Sequence, residues 1–210
     1  MGLVVITSDA GLCGAYNANL ISLAEAHLKA DHKVPIQLIL IGKQGFRYFS
    51  RRGYQVMSSA LDLAGRPNPT VIRKLASSLI EAFLAHRVDA IQVAYTRFLS
   101  FASYRPALEP WLPIAATNHE SRITNHEYIF EPTPQHVFND LVPRFALAKF
   151  QQLVLEAFTS EHSARMIAMK NATDNAQELL DGLTTQRNKI RQAGITKELS
   201  EITGTAEALK

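Results

Sequence analysis

From Pro134 to Lys210 the chain offers almost nothing to stop a helix. Pro143, Gly182, Gly194 and Gly204 are the only interruptions in those 77 residues. A continuous helix of that length runs roughly 115 Å at 1.5 Å per residue. A domain folded from the preceding residues cannot cover it, so the pattern predicts a helix that mostly projects. Ile195, Leu199, Ile202, Ala206 and Leu209 then repeat at four-three-four-three, the seam of a coiled coil. Burying the large members of that seam at about 1.5–3 kcal/mol each totals roughly 6–12 kcal/mol, which a lone helix forfeits. Phe138, Leu141, Phe145 and Ala148 make a similar stripe near the start, and between the two the stripe is narrow and polar, as in SARMIAMKNATDNA.

The first part of the chain reads differently. Leu3 to Ser8, Ile36 to Ile41 and Ala90 to Thr96 are short Val- and Ile-rich runs bounded by turn residues, the pattern of buried strands. Helical patterns separate them at about Ala15 to Ala30, Gln44 to Arg51 and Pro69 to His86. In the last of these, Val71, Ile72, Leu75, Leu79, Ile80, Phe83 and Leu84 form a stripe that the sheet would need. A short strand fits around Tyr54 to Ser58, and YTRFLSFASYRPALEPWLPI reads as a hairpin on the sheet's edge. Alternating strand and helix predicts an α/β fold with a mostly parallel sheet. The polar, proline-ended segment TNHESRITNHEYIFEPTP suggests a boundary, with an α/β domain over 1–131 and the long helix over 132–210.

Composition narrows the function classes. Hydrophobic residues make up 47% and charged residues 20%, so a packed core is expected. A net charge of +3 is too small to argue for nucleic acid. The single cysteine, Cys13, rules out an internal disulfide. No apolar run approaches the roughly 20 residues of a membrane span, and no signal-peptide pattern is evident.

The chemistry-bearing patterns are weak. Gly11 and Gly14 in SDAGLCGAYN sit between a strand and a helix, where anions bind at helix N-termini. They match neither a dinucleotide fingerprint nor a P-loop, and Asp9 would repel phosphate, which favours a structural turn. Cys13 has no base named beside it, so a small buried residue is the simpler reading. His119 and His126 stand in NHE triplets without zinc-site spacing, so no metal is expected. QGFRYFSRRGY mixes arginines with aromatics, and a short amphipathic helix with a basic edge explains it. Arg187, Lys189 and Arg191 in QRNKIRQAG fit either a solvated face or a contact with acidic loops of a large partner.

Two blocks, TSDAGLCGAYNANL at 7–20 and SEHSARMIAMKNATDNAQELLDGLTTQRNKIRQAGITKELSEITGTAEAL at 160–209, resemble the gamma subunit of F-type ATP synthases. IGKQGFRYFSRRGYQV and YIFEPTP agree between them, and the likeness runs the length of the chain. The resemblance implies a Rossmann-like α/β/α foot domain and a C-terminal helix that is half of a coiled coil. It implies a central-stalk rotor with no cofactor and no catalysis of its own, which couples proton flow through the c-ring to ATP synthesis. Its partners would be the alpha and beta subunits, three of each, the epsilon subunit and the c-ring, with no nucleic acid and no direct nucleotide binding. It would sit peripherally on the cytoplasmic face of a bacterial plasma membrane. Carried onto this sequence, the likeness makes Arg191, Gln192, Thr196 and Glu198 contacts for the beta-subunit catch loops, and Glu131 a c-ring contact.

Family members have a long helix before the first strand, and the sequence begins at that strand, so the expectation is a fragment or a shifted start. Two other readings compete with the rotor. One is a shortened gamma-like module for assembly or regulation, without torque. The other is a small α/β enzyme holding a phosphorylated ligand at the Gly11–Gly14 turn.

Overall fold

The computed structural model describes residues 1–30, 35–114 and 129–208. The chain runs β1 (Gly2–Ile6), α1 (Tyr16–Lys29), β2 (Gln37–Ile41), α2 (Lys43–Arg51), β3 (Val56–Ala60), α3 (Pro69–Leu84), β4 (Ile91–Ser100), β5 (Ser103–Leu112) and α4 (Pro134–Ala208). The sheet order is β3-β2-β1-β4-β5. All pairings are parallel except the β4–β5 hairpin at one edge. A mostly parallel sheet with helices on both faces is the fold the strand–helix alternation predicts.

Side-chain alternation along β1 builds the layers. Leu3 and Val5 face one way and pack with Leu20, Ala24, Leu38, Leu40 and Phe49, under α1 and α2. Val4 and Ile6 face the other way, with Ile39, Ile41, Val93 and Tyr95, under α3 and α4. A strand buried on both faces must be apolar throughout, which is why β1 and β2 read as continuous runs. Asn68 caps α3 by accepting from the amides of Thr70 and Val71, and Pro69 supplies the preset first turn. In the α3 stripe, Ile72, Leu75 and Leu79 are buried. Val71 and Leu84, expected to serve the sheet, stay on the surface instead, because they fall at the margins of the buried arc.

Helix α4 is continuous through Pro143 and all of its glycines. By packing, the chain divides into Met1–Ile167 and Ala168–Lys210, so the division falls inside α4 and not at its start. In the first unit α4 contributes Ala146, Phe150, Leu153, Val154, Ala157 and Phe158 to the core. These are not the residues of the more conspicuous Phe138–Leu141–Phe145 stripe, which is exposed. The buried set, with Phe150, Leu153, Val154 and Phe158 in it, lies roughly 150° round the helix from that stripe, so both cannot face the sheet. Trp111 reinforces the choice, its indole N–H donating to the Ala146 carbonyl at 2.9 Å and its ring lying 4.7 Å from that of Phe150.

Candidate functional site: the glycine turn and the outer helix seam

The loop at the carboxyl end of β1 is held by its own polar groups. Gly14, with φ of 55°, and Leu12, with φ of 62°, make the left-handed turn. Asn17 reaches back from α1, accepting from the Ser8 amide at 3.0 Å and donating to Ser8 Oγ at 2.7 Å and to Cys13 Sγ at 3.2 Å. Cys13 is buried at 2% exposure, against Tyr16 and Ala164, so the structure gives it the packing role.

Asp9 is the centre of this edge. Its carboxylate accepts from the amides of Lys43 at 3.0 Å, Asp62 at 3.2 Å and Ala64 at 2.6 Å. It thereby ties together the loops after β1, β2 and β3. Lys43 also pairs with Asp62, which holds the Lys43 ammonium above its ordinary range. Next to this knot Gly42 has φ of 93°, and a Cβ there would stand 2.1 Å from the Thr7 carbonyl oxygen, so only glycine fits. The Lys43 amide at the head of α2 and two amides of the loop after β3 are therefore taken up by a carboxylate of the chain itself. Burial, and then the nearby Glu161 charge, push the Tyr16 hydroxyl far above its usual range, so it stays a donor.

The arginine–aromatic segment forms α2 and its exit. Phe49 is buried, and the Arg52 guanidinium lies 3.7 Å from the centre of the Tyr48 ring. Tyr48 in turn donates to Glu25 at 2.7 Å. The aromatic faces are thus engaged within the chain.

The second unit is the outer part of α4, and none of its described residues from 168 to 207 is buried. Ile195, Leu199 and Ile202 are 50%, 58% and 64% exposed, an apolar row open to solvent. Arg191 and Glu198 lie one heptad apart and flank that row on one side. Gln192 and Thr196, four residues apart, flank it on the other, following from about 100° per residue. The structure therefore places the four predicted contacts as two pairs astride the seam and does not gather them on one face. Glu131 is exposed just before α4 begins. His119, His126 and Leu209 lie outside the described residues. Among the described residues no His, Cys, Asp and Glu group has metal-site geometry, and no helix is long and apolar enough to cross a membrane.

A three-layer α/β domain and a long helix with an open coiled-coil seam define a subunit-like class of protein, in which the helix is the element offered for pairing. Comparison with known proteins gives the family. The family model described as ATP synthase matches residues 1–209. The ATP synthase gamma chain of Symbiobacterium thermophilum is 42% identical over 207 residues, covering 99% of this chain and 72% of that one. The gamma chain of Moorella thermoacetica is 43% identical over 209 residues, covering 100% of this chain and 73% of that one. Among solved structures, a chain of the Euglena gracilis mitochondrial ATP synthase assembly of OSCP, F1 and c-ring superposes with a TM-score of 0.67 at 22% identity. It covers 100% of this chain and 72% of that one. A chain of the Tetrahymena thermophila central stalk and c-ring gives 0.64 at 23% identity, over 82% and 75%, again a likeness of fold. The chain belongs to the ATP synthase gamma chain family.

Proposed function

We propose that the chain is the central-stalk rotor subunit of an F-type proton-translocating ATP synthase. It is non-catalytic and carries rotation between the c-ring and the alpha/beta ring. The single observation that carries this reading is the whole-chain match to gamma chains, joined to a helix whose outer apolar row is open to solvent. A row worth several kcal/mol if buried is a pairing surface, and a rotor shaft needs one.

In this reading residues 1–131, with the inner part of α4 packed on them, form the foot domain, and the rest of 132–210 is the stalk half. The alpha, beta and epsilon subunits and the c-ring are the partners. The chain is peripheral, at the cytoplasmic face of a bacterial plasma membrane. Arg191, Gln192, Thr196 and Glu198 meet the beta-subunit catch loops from both sides of the seam, and Glu131 meets the c-ring loops. The Asp9 carboxylate, two residues before the Gly11–Gly14 turn, would repel a phosphate there, which supports the non-catalytic assignment over the phosphate-binding enzyme.

The test is ATP-driven proton pumping in membrane vesicles carrying the assembled complex. Changing Arg191 and Gln192 together to Ala is expected to lower pumping relative to ATP hydrolysis. An unchanged ratio rejects these two as contacts. A complex that assembles without the chain and pumps normally rejects the rotor.

A further inference from the structure

The inner part of α4 is fastened to the sheet domain by more than apolar packing. Apolar packing opposes a helix turning about its own axis through lost burial and interlocked side chains. Directed hydrogen bonds add a resistance that sets in at small angles, and α4 carries a set of them between residues 156 and 165. The Tyr16 hydroxyl donates to the Ala157 carbonyl at 3.0 Å. Ser160 Oγ donates to the Thr96 carbonyl at 2.8 Å. Glu156 Oε1 accepts from the Phe98 amide at 3.1 Å. The His162 Nε2–H donates to the Gly65 carbonyl at 2.9 Å. Arg165, paired with the buried Glu161 at 2.7 Å, reaches the Gly11 carbonyl at 3.4 Å.

Their angular placement is informative. At about 100° per residue, Ala157, Ser160, Glu161 and Ala164 centre on the sheet. Glu156 lies about 100° round from Ala157 on one side, and Arg165 and His162 lie about 80° and 140° round on the other. The anchors are backbone groups of β4 and of the loops after β1 and β3, so they belong to the rigid carboxyl edge of the sheet. Turning α4 in one sense pulls on Glu156, and turning it in the other pulls on His162 and Arg165. Gly65 is shaped for this contact, since a Cβ there would stand 2.9 Å from His162 Nε2.

We infer that Glu156, Ser160, His162 and Arg165 form a two-sided rotational clamp, through which turning force entering the sheet domain passes to α4. These are positioning residues, and the assignment rests on the rotor reading above. Neither the seam nor the catch contacts are involved.

The experiment uses the full chain assembled in its ATP synthase, in membrane vesicles, with proton pumping and ATP hydrolysis measured on the same preparation. Wild type must pump first, because failure there removes the rotor reading and the clamp with it. The triple variant Glu156→Ala, Ser160→Ala, His162→Ala is then expected to keep at least half the hydrolysis and to lose pumping threefold or more. Hydrolysis and pumping falling in proportion indicates loss of fold or assembly alone and overturns the clamp, as does an unchanged ratio. A milder pair guards against misfolding. Glu156→Gln keeps an acceptor for the Phe98 amide and is expected to pump like wild type. Glu156→Leu keeps bulk without an acceptor and is expected to lower the pumping-to-hydrolysis ratio about twofold. Equal ratios for the two also overturn the proposal.

Discussion

Arg165→Ala exposes how the inner part of α4 is stabilised. Glu161 is 1% exposed, and its Oε2 has no hydrogen-bond partner among the described residues. Its compensation comes from the Arg165 guanidinium at 2.7 Å, one helical turn on. Removing one partner of a buried ion pair costs about 3–5 kcal/mol, because the other charge is left desolvated. The Arg165 side chain is 25% exposed, so water can reach the gap and the lower end applies, about 3 kcal/mol. If the cost is stranded charge, adding Glu161→Gln must relieve most of it, and the double variant should sit within about 1 kcal/mol of wild type. Urea unfolding followed by tryptophan fluorescence suits the measurement. Trp111 is the sole tryptophan and is buried at 2% exposure between β5 and α4. A loss below about 0.5 kcal/mol for Arg165→Ala, or a double variant as unstable as the single, would refute the reasoning.

Gly42→Ala forces a Cβ to within 2.1 Å of the Thr7 carbonyl at a φ of 93°, so it should cost more than the ~1–3 kcal/mol of a strained φ alone, read as a large fall in Tm by circular dichroism. Asp9→Ala removes the acceptor of three amides, and as hydrogen bonds to charged groups contribute about 1.5–3 kcal/mol each when buried, a loss of roughly 3 kcal/mol at this half-exposed site is expected by urea titration. For Glu109, burial acts to raise the carboxyl pKa, but bonds from Lys149, Tyr95 and Arg97 outweigh it and hold it below the usual range. A lowered folded-state pKa gives stability that is present above about pH 4 and lost as pH falls below it, so Glu109→Gln should flatten the acid limb of a Tm-against-pH curve. Tyr95, raised to about 12 by burial first, should stay protonated through mildly alkaline pH, seen as no difference in phenolate absorbance between wild type and Tyr95→Phe up to pH ~10.

The layered core was legible because it obeys local rules. β1 and β2 are apolar on both faces, and turn residues bound them. The inner stripe of α4 was not. Phe138, Leu141 and Phe145 are as apolar as Phe150, Leu153, Val154 and Phe158, yet the sheet packs on the latter. Two stripes roughly 150° apart on one helix cannot both face one sheet, and which of them does is a tertiary fact. Asp9 reads as a turn residue, while its acceptor role depends on amides 34 to 55 positions away in sequence. The outer apolar row of Ile195, Leu199 and Ile202 was legible, since heptad spacing is a local pattern, while Leu209 lies outside the described residues. That the candidate contacts straddle the row followed only once the helix was known to be continuous.

The central claim is that this chain turns inside a ring of other subunits, and a tether tests it most directly. Cys13 is buried, so a cysteine introduced by Arg191→Cys is the one free to take a cleavable cross-linker to the beta subunit in the assembled complex. The account predicts that the cross-link forms, that ATP hydrolysis stops, and that cleaving the linker restores it. Full cross-linking with hydrolysis undiminished would contradict rotation, and no cross-link at all would contradict the contact.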